Sequence, residues 1–195
     1  MDINAHIARR LRERRDELGF TIAEVAVRSG VSRGMISKIE REECSPTATV
    51  LNKLAIGLGV LLPTFFGPAS YREPRLHQRN PIASRKGQVE WKNPESGYRR
   101  RTLTPSTAKQ SLQLSEIHFP GGAKVTFENA GGAVLAQQQI WMLEGHMELL
   151  IGDELCHLGA GDCIAMTLDC PITFRNPGAK AARYLVAISS AKAGL

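Results

Sequence analysis

No stretch of this chain is both long and apolar enough to cross a bilayer. The longest apolar run, Leu54 to Leu62, falls far short of the roughly 20 residues that a spanning helix needs. The first residues, MDINAHIARRLRERR, lack the apolar core of a secretion signal. The expectation is a cytoplasmic protein with no membrane contact. Cys44, Cys156, Cys163 and Cys170 are then expected as free thiols. Proline is missing before Pro46, so nothing breaks helices in that stretch. Internal repeats and low-complexity tracts are absent too, which sets solenoid architectures aside.

What is present is ordinary for a soluble protein: 43% hydrophobic and 23% charged residues. A length of 195 residues suits one large domain or two small ones. The net charge of +6 is unevenly placed, since residues 68–101 hold nine Lys/Arg against three Asp/Glu. A basic middle segment suits a polyanion such as DNA, or it is a linker solvated with counterions. Charge alone leaves both open.

Patterning divides the chain in three. Residues 1–67 read as helices, with Ile3, Ile7, Leu11 and Leu18 on one face. Residues 68–97 are polar and proline-bearing, without a clear period, and read as a basic linker. From residue 98, short runs rich in Val, Ile, Leu and Phe alternate with Gly- and Pro-bearing turns, which predicts an all-β sandwich or barrel.

Within the helical part, FTIAEVAVRSGVSRGMISKIERE carries signals that agree with each other. Thr21 and Glu24 have the spacing of a capping box, with Phe20 and Val25 placed as a hydrophobic staple. Gly30 sits where the chain must turn tightly, and Ser32 can cap the next helix. Ala26 fits where two helices cross, while Val31, Ile36 and Ile39 hold the second helix down. Arg33, Gly34, Ser37 and Lys38 are left on its outward face. This is a helix-turn-helix pattern, whose second helix enters the major groove.

The run from Thr21 to Phe66 resembles the lambda-repressor-like, or XRE-type, family of DNA-binding domains. The resemblance implies an all-α five-helix domain, with Ser45-Pro46 opening a fourth helix and a short fifth after Pro63. It also implies an ion pair between Arg15 and Glu40. The expected DNA-binding residues are Thr21, Ser32, Arg33, Gly34, Ser37, Lys38 and Arg41. The chain departs from the family's common pattern at Ile22, where a glutamine often contacts phosphate.

From about residue 110, WMLEGHMELLIGDELCHLGAGDCIAM and CPITFRNPG resemble a cupin, a jelly-roll β-barrel. Metal-binding cupins use histidines and a carboxylate projecting inward from their strands. Aligned on Leu143-Glu144-Gly145 and on Phe174-Arg175-Asn176, the corresponding positions here are Gly132, Val134, Gln138 and Ile172. None is a good transition-metal ligand, so no metal and no other cofactor is expected. Cys156, His157, Cys163 and Cys170 match no zinc spacing, and no Ser/His/Asp grouping or phosphate loop stands out. By alternation Gln138, Ile140 and Met142 share the inward face, joined by Ile172 and Phe174. These side chains either line an apolar pocket with one amide or simply fill a core. Arg99 and Arg101 share one face of the entry strand, where either could hold a carboxylate, or they form a solvated charge run.

The reading is therefore a transcriptional regulator with no catalytic residues. A helix-turn-helix domain (1–67) binds double-stranded DNA as a homodimer. A cupin-like barrel (98–195) binds a small organic effector through Gln138, Ile140, Met142, Ile172, Phe174, Arg99 and Arg101. The alternative is a metal-dependent cupin oxygenase or epoxidase with a helix-turn-helix-like domain.

Overall fold

Local signals start each helix. In α1 (Ile3–Glu17), Asp2 accepts a hydrogen bond from the Asn4 N–H at 2.9 Å. Ile7 and Leu11 on this helix are buried, with Ile3 and Leu18 packed beside them. α2 (Ile22–Ser29) opens on a reciprocal capping box. The Thr21 hydroxyl accepts from the Glu24 N–H, and the Glu24 carboxylate accepts from the Thr21 N–H. Gly30 ends the helix at φ 67°, a conformation that glycine adopts without strain. α3 (Arg33–Glu40) is capped by Ser32, and α4 spans Ala48–Gly57. This computed structural model describes residues 2–66, 82–105, 112–129 and 136–190.

Two details differ from the sequence reading. The cap of α4 is Thr47, whose side chain accepts from the Val50 N–H at 3.3 Å, while Ser45 lies further out and Pro46 is buried between them. The fifth helix is a single 3-10 turn, Leu62–Phe65, with Pro63 in it. Its bonds are of the tight kind, with the Phe66 N–H donating to the Pro63 carbonyl. Where α4 meets α2, a Cβ on Gly57 would lie 2.9 Å from the Ser29 backbone; Ala26 of α2 is half-buried against the core.

The rest of the described chain forms ten strands: β1 (Glu90–Lys92), β2 (Arg99–Thr102), β3 (Leu112–Phe119), β4 (Lys124–Phe127), β5 (Ala136–Glu144), β6 (His146–Ile151), β7 (Glu154–Gly159), β8 (Cys163–Thr167), β9 (Ile172–Arg175) and β10 (Ala182–Ser190). They build a six-stranded sheet, β1-β2-β3-β10-β5-β8, and a four-stranded sheet, β4-β9-β6-β7. The pairings are antiparallel. The two faces enclose an apolar interior in the manner of a cupin-like jelly roll. On β5 the alternation is clean: Ala136, Gln138, Ile140 and Met142 are buried, whereas Gln137, Gln139 and Trp141 are exposed.

The barrel starts earlier than residue 98. β1 and a 3-10 turn at Arg85–Gly87 fall inside the stretch read as linker; residues 68–81 of that stretch lie outside the described residues. β1 pairs Trp91 with Arg100 and buries the indole. A three-residue strand is too short to show a period, so its one buried side chain carried no readable signal.

The helical domain and the barrel share one hydrophobic core. Polar bonds cross the joint as well. The Ala48 N–H, at the start of α4, donates to Asn93 Oδ1 at 3.0 Å. Thr49 Oγ1 donates to the Thr126 carbonyl at 3.1 Å, and Asn52 Nδ2 to the Glu128 carbonyl at 3.2 Å. Asn93 is buried, so Asn93→Ala strands a buried helix-start N–H. The expected loss is about 1–3 kcal/mol, read as a lower midpoint in urea denaturation. An unchanged midpoint would show that water replaces the amide freely.

Candidate DNA-binding face and barrel cavity

The outward side of α3 presents Arg33, Gly34 and Lys38 to solvent, with Ser37 half-buried beside them. Ile36 and Ile39 on the opposite side are buried and fix the helix on the core. Thr21 and Ser32 are exposed at the starts of α2 and α3, where each side chain caps its own helix. Arg41, just past α3, is exposed but paired with Glu43 through two bonds of 2.6 and 3.1 Å. That pair is solvated and can be exchanged for a phosphate. Met35, exposed on α3, was not singled out from the sequence; apolar residues within a polar face give no periodic signal of their own.

One ion pair sets the pose of α3. Arg15 Nε donates to Glu40 Oε1 at 2.7 Å and Nη2 to Oε2 at 3.1 Å, a parallel two-bond pairing. Arg15 Nη1 reaches the Phe20 carbonyl at 3.1 Å. The Glu40 hydrogen bond, against the opposing effect of burial, raises the Arg15 pKa above its ordinary value. The pair ties α1 to the end of α3 and, through Phe20, to the entry of α2.

Inside the barrel lies a cavity of about 80 Å³, where a single water needs roughly 10–15 Å³ on the same measure. Gln138, Ile172 and Phe174 line it. Ile140 and Met142 are buried but are not part of its lining; they sit further along β5 and fill the core. Arg99 and Arg101 point outward. Arg101 pairs with Glu116, and Arg99 lies 3.7 Å from Glu90. Burial disfavours a charged Glu116, but hydrogen bonds from Arg101 and Arg183 outweigh it and hold its carboxyl below the usual range. Arg99 and Arg101 belong to a separate surface groove with Arg85, His118 and Arg183.

The arginine in the cavity wall is Arg100, which is 5% exposed. Tyr98 and Tyr184 line the same cavity, and burial pushes both phenols well above their usual pKa. Alternation along Tyr98-Arg99-Arg100-Arg101 did separate the two faces; burying the face with one arginine rather than two was the available signal. The opposite wall comes from the helical domain, with Asn52 and Ile56 of α4 and the segment Gly59 to Pro63.

At the positions where metal-binding cupins place ligands, Gln138 offers an amide and Ile172 a hydrocarbon, both on inward faces; Gly132 and Val134 lie outside the described residues. Gln138 Nε2 points to the Met166 sulfur at 3.9 Å. These side chains do not fit a catalytic transition metal. Among the described residues no group of three His, Cys, Asp or Glu comes together as a cation site.

A helix-turn-helix family model, HTH_3, matches residues 11–65. The HTH-type transcriptional regulator SutR of Escherichia coli is 23% identical over 187 residues, covering 89% of each chain. The HTH-type transcriptional regulator PuuR of the same species is 28% identical over 185 residues, covering 92% of each. A solved HTH_3 family transcriptional regulator from Vibrio cholerae superposes with a TM-score of 0.75, at 24% identity over 97% of this chain and 98% of that one. That likeness extends the shared fold across both domains.

Two measurements check the site. Glu40→Ala leaves a mostly buried guanidinium with the exposed Asp16, at 2.7 Å, as its remaining carboxylate, so the loss is expected below the about 3–5 kcal/mol of a buried charge left unpaired. A melt identical to wild type would mean that the pair does not fix α3. Elemental analysis of protein purified without chelators should find far less than one iron, manganese or nickel per chain; stoichiometric metal would reverse the reading of Gln138 and Ile172.

Proposed function

We infer that this chain, with its HTH_3 helix-turn-helix domain and cupin-like barrel, is a transcriptional regulator that binds duplex DNA through α3 and answers to a small organic effector in the barrel. The observation that carries the effector half is the shared wall of the cavity: barrel strands on one side, and α4 with the turn after it on the other. A molecule bound there touches both the sensing domain and the domain that presents Arg33 and Lys38. Regulation requires the effector to favour one arrangement of these walls over another. Couplings of about 1–3 kcal/mol change operator affinity roughly 5–150-fold.

A single helix-turn-helix reads few base pairs, so the DNA-bound form is proposed as a two-fold dimer on half-sites about 34 Å apart. The named relatives are transcriptional regulators, which supports this reading over an oxygen-activating cupin enzyme. Such an enzyme needs ligands that an amide at Gln138 and a hydrocarbon at Ile172 do not supply.

The test begins with selection of operators from a random duplex pool. Arg33→Ala and Lys38→Ala should each weaken operator binding by roughly 1–3 kcal/mol if they read bases, with relaxed preference at one position. Binding that survives both substitutions unchanged at fixed salt would move the recognition surface away from α3.

A further inference from the structure

The buried arginine in the cavity wall narrows the effector class. Arg100 lies on β2 between Trp91 of β1 and Ile117 of β3. Its side chain turns inward, so that the guanidinium carbon sits 5.6 Å from the centre of the Phe66 ring, at the joint with the helical domain. Its Nε and Nη2 are buried and have no hydrogen-bond partner among the described residues. No carboxylate of the described residues pairs with it.

Those two nitrogens form the parallel donor edge of a guanidinium. Elsewhere among the described residues the same edge is used by Arg15, whose Nε and Nη2 hold the two oxygens of Glu40, and by Arg41, whose Nε and Nη2 hold those of Glu43. The wall around Arg100 is largely apolar, with Ile117, Phe119 and Val186, and the phenols of Tyr98 and Tyr184 are the polar groups that act on it. Asn52, Asn129 and Gln138 add amides at the cavity surface. Burial pulls the guanidinium pKa below its usual value, while Tyr98 and Tyr184 act in the opposite direction. A cation held this way is destabilised until an anion joins it.

We propose that the effector is a small organic acid whose carboxylate is held by the Arg100 guanidinium, with its apolar body lying between barrel and α4. Nε and Nη2, which have almost no accessible surface in this structure, become the donor edge once the side chain turns toward the cavity, and the proposal rests on the sensor reading above. The planar two-oxygen group matches the planar two-donor edge, as in the Arg15–Glu40 pair. The hydrocarbon part accounts for the apolar lining, and the amides give polar substituents a partner. An amine fails at this wall, because it would place a second cation beside Arg100. Since the head group contacts β2 next to Phe66, binding of the acid acts directly on the end of the helical domain.

The experiment is thermal denaturation of the full chain with butyrate, hexanoate and benzoate, each matched by its amide, and with hexylamine, sulfate and phosphate. At least one carboxylate should raise the Tm of wild type, and its amide should not. Arg100→Met should melt no lower than wild type without ligand and should lose the response. Arg100→Lys keeps the charge but loses the two-donor edge, and should bind the active acid at least tenfold more weakly by calorimetric titration. Should an amide or hexylamine stabilise wild type as well as the acids, and Arg100→Met still respond, the carboxylate assignment falls while the sensor reading stands. Sulfate or phosphate acting through Arg100 where carboxylates do not would overturn the planar match. If Arg100→Met melts well below wild type, the guanidinium is structural and the assignment falls. No response to any class at millimolar concentration counts against both readings.

Discussion

Seven aromatic rings run in a continuous chain through this molecule, and both domains hang on them. Phe66 closes the helical domain and meets Trp91 at 5.3 Å; Trp91 meets Tyr98 at 5.7 Å, and Tyr98 stacks on Phe119 at 5.5 Å. From there Tyr184, Phe174 and Phe127 carry the contact across the barrel to the other sheet. The chain holds only eleven aromatic residues, so most of this costly, high-area packing is spent along one line. It joins helix to barrel through apolar surface. Core packing of this density has few intermediate arrangements, so a change on the barrel side tends to be passed on rather than absorbed.

The helical domain meets that line with rigid parts. Arg15 and Glu40 lock α1 to α3, Gly57 seats α4 tightly on α2, and Asn93 of the barrel accepts from the first turn of α4. These contacts form one path from α3 to the cavity wall. Coupling over such a path needs an element with two discrete arrangements. The turn Leu62–Phe65 is the segment best suited to that part: it is short, lacks a side-chain cap, and lies between the cavity and Phe66.

Helix starts were legible in the sequence because capping chemistry is local. Thr21, Glu24, Gly30 and Ser32 announce their roles within a few residues of where they act. The alternation Gln137-Gln138-Gln139 on β5 was equally readable, since period two needs only one strand. What escaped was non-local. Trp91 sits on a three-residue strand whose burial depends on pairing with β2. Thr47 displaced Ser45 as a cap because Pro46 packs inward, a tertiary event. Alternation set Arg99 and Arg101 on one face and Arg100 on the other, but period two does not say which face turns inward; that depends on how β2 pairs with β1 and β3. Met142 and Ile140 were read as inward, and they are, but inward in a filled barrel is not the same as beside its cavity.

A buried guanidinium with no carboxylate partner among the described residues also has a history to be read in relatives of this chain. Single-base changes convert many arginine codons to leucine codons, and a buried cation that the fold does not require is held only by use. Trp91, its cross-strand neighbour, is held by packing whatever the barrel binds. On the proposal that Arg100 holds an acid, the two positions should part company where gene copies diverge: Trp91 kept with the fold, Arg100 exchanged for Leu or Met once the acid no longer matters. The side chain at this one position then sorts descendants that still listen from those that have become constitutive.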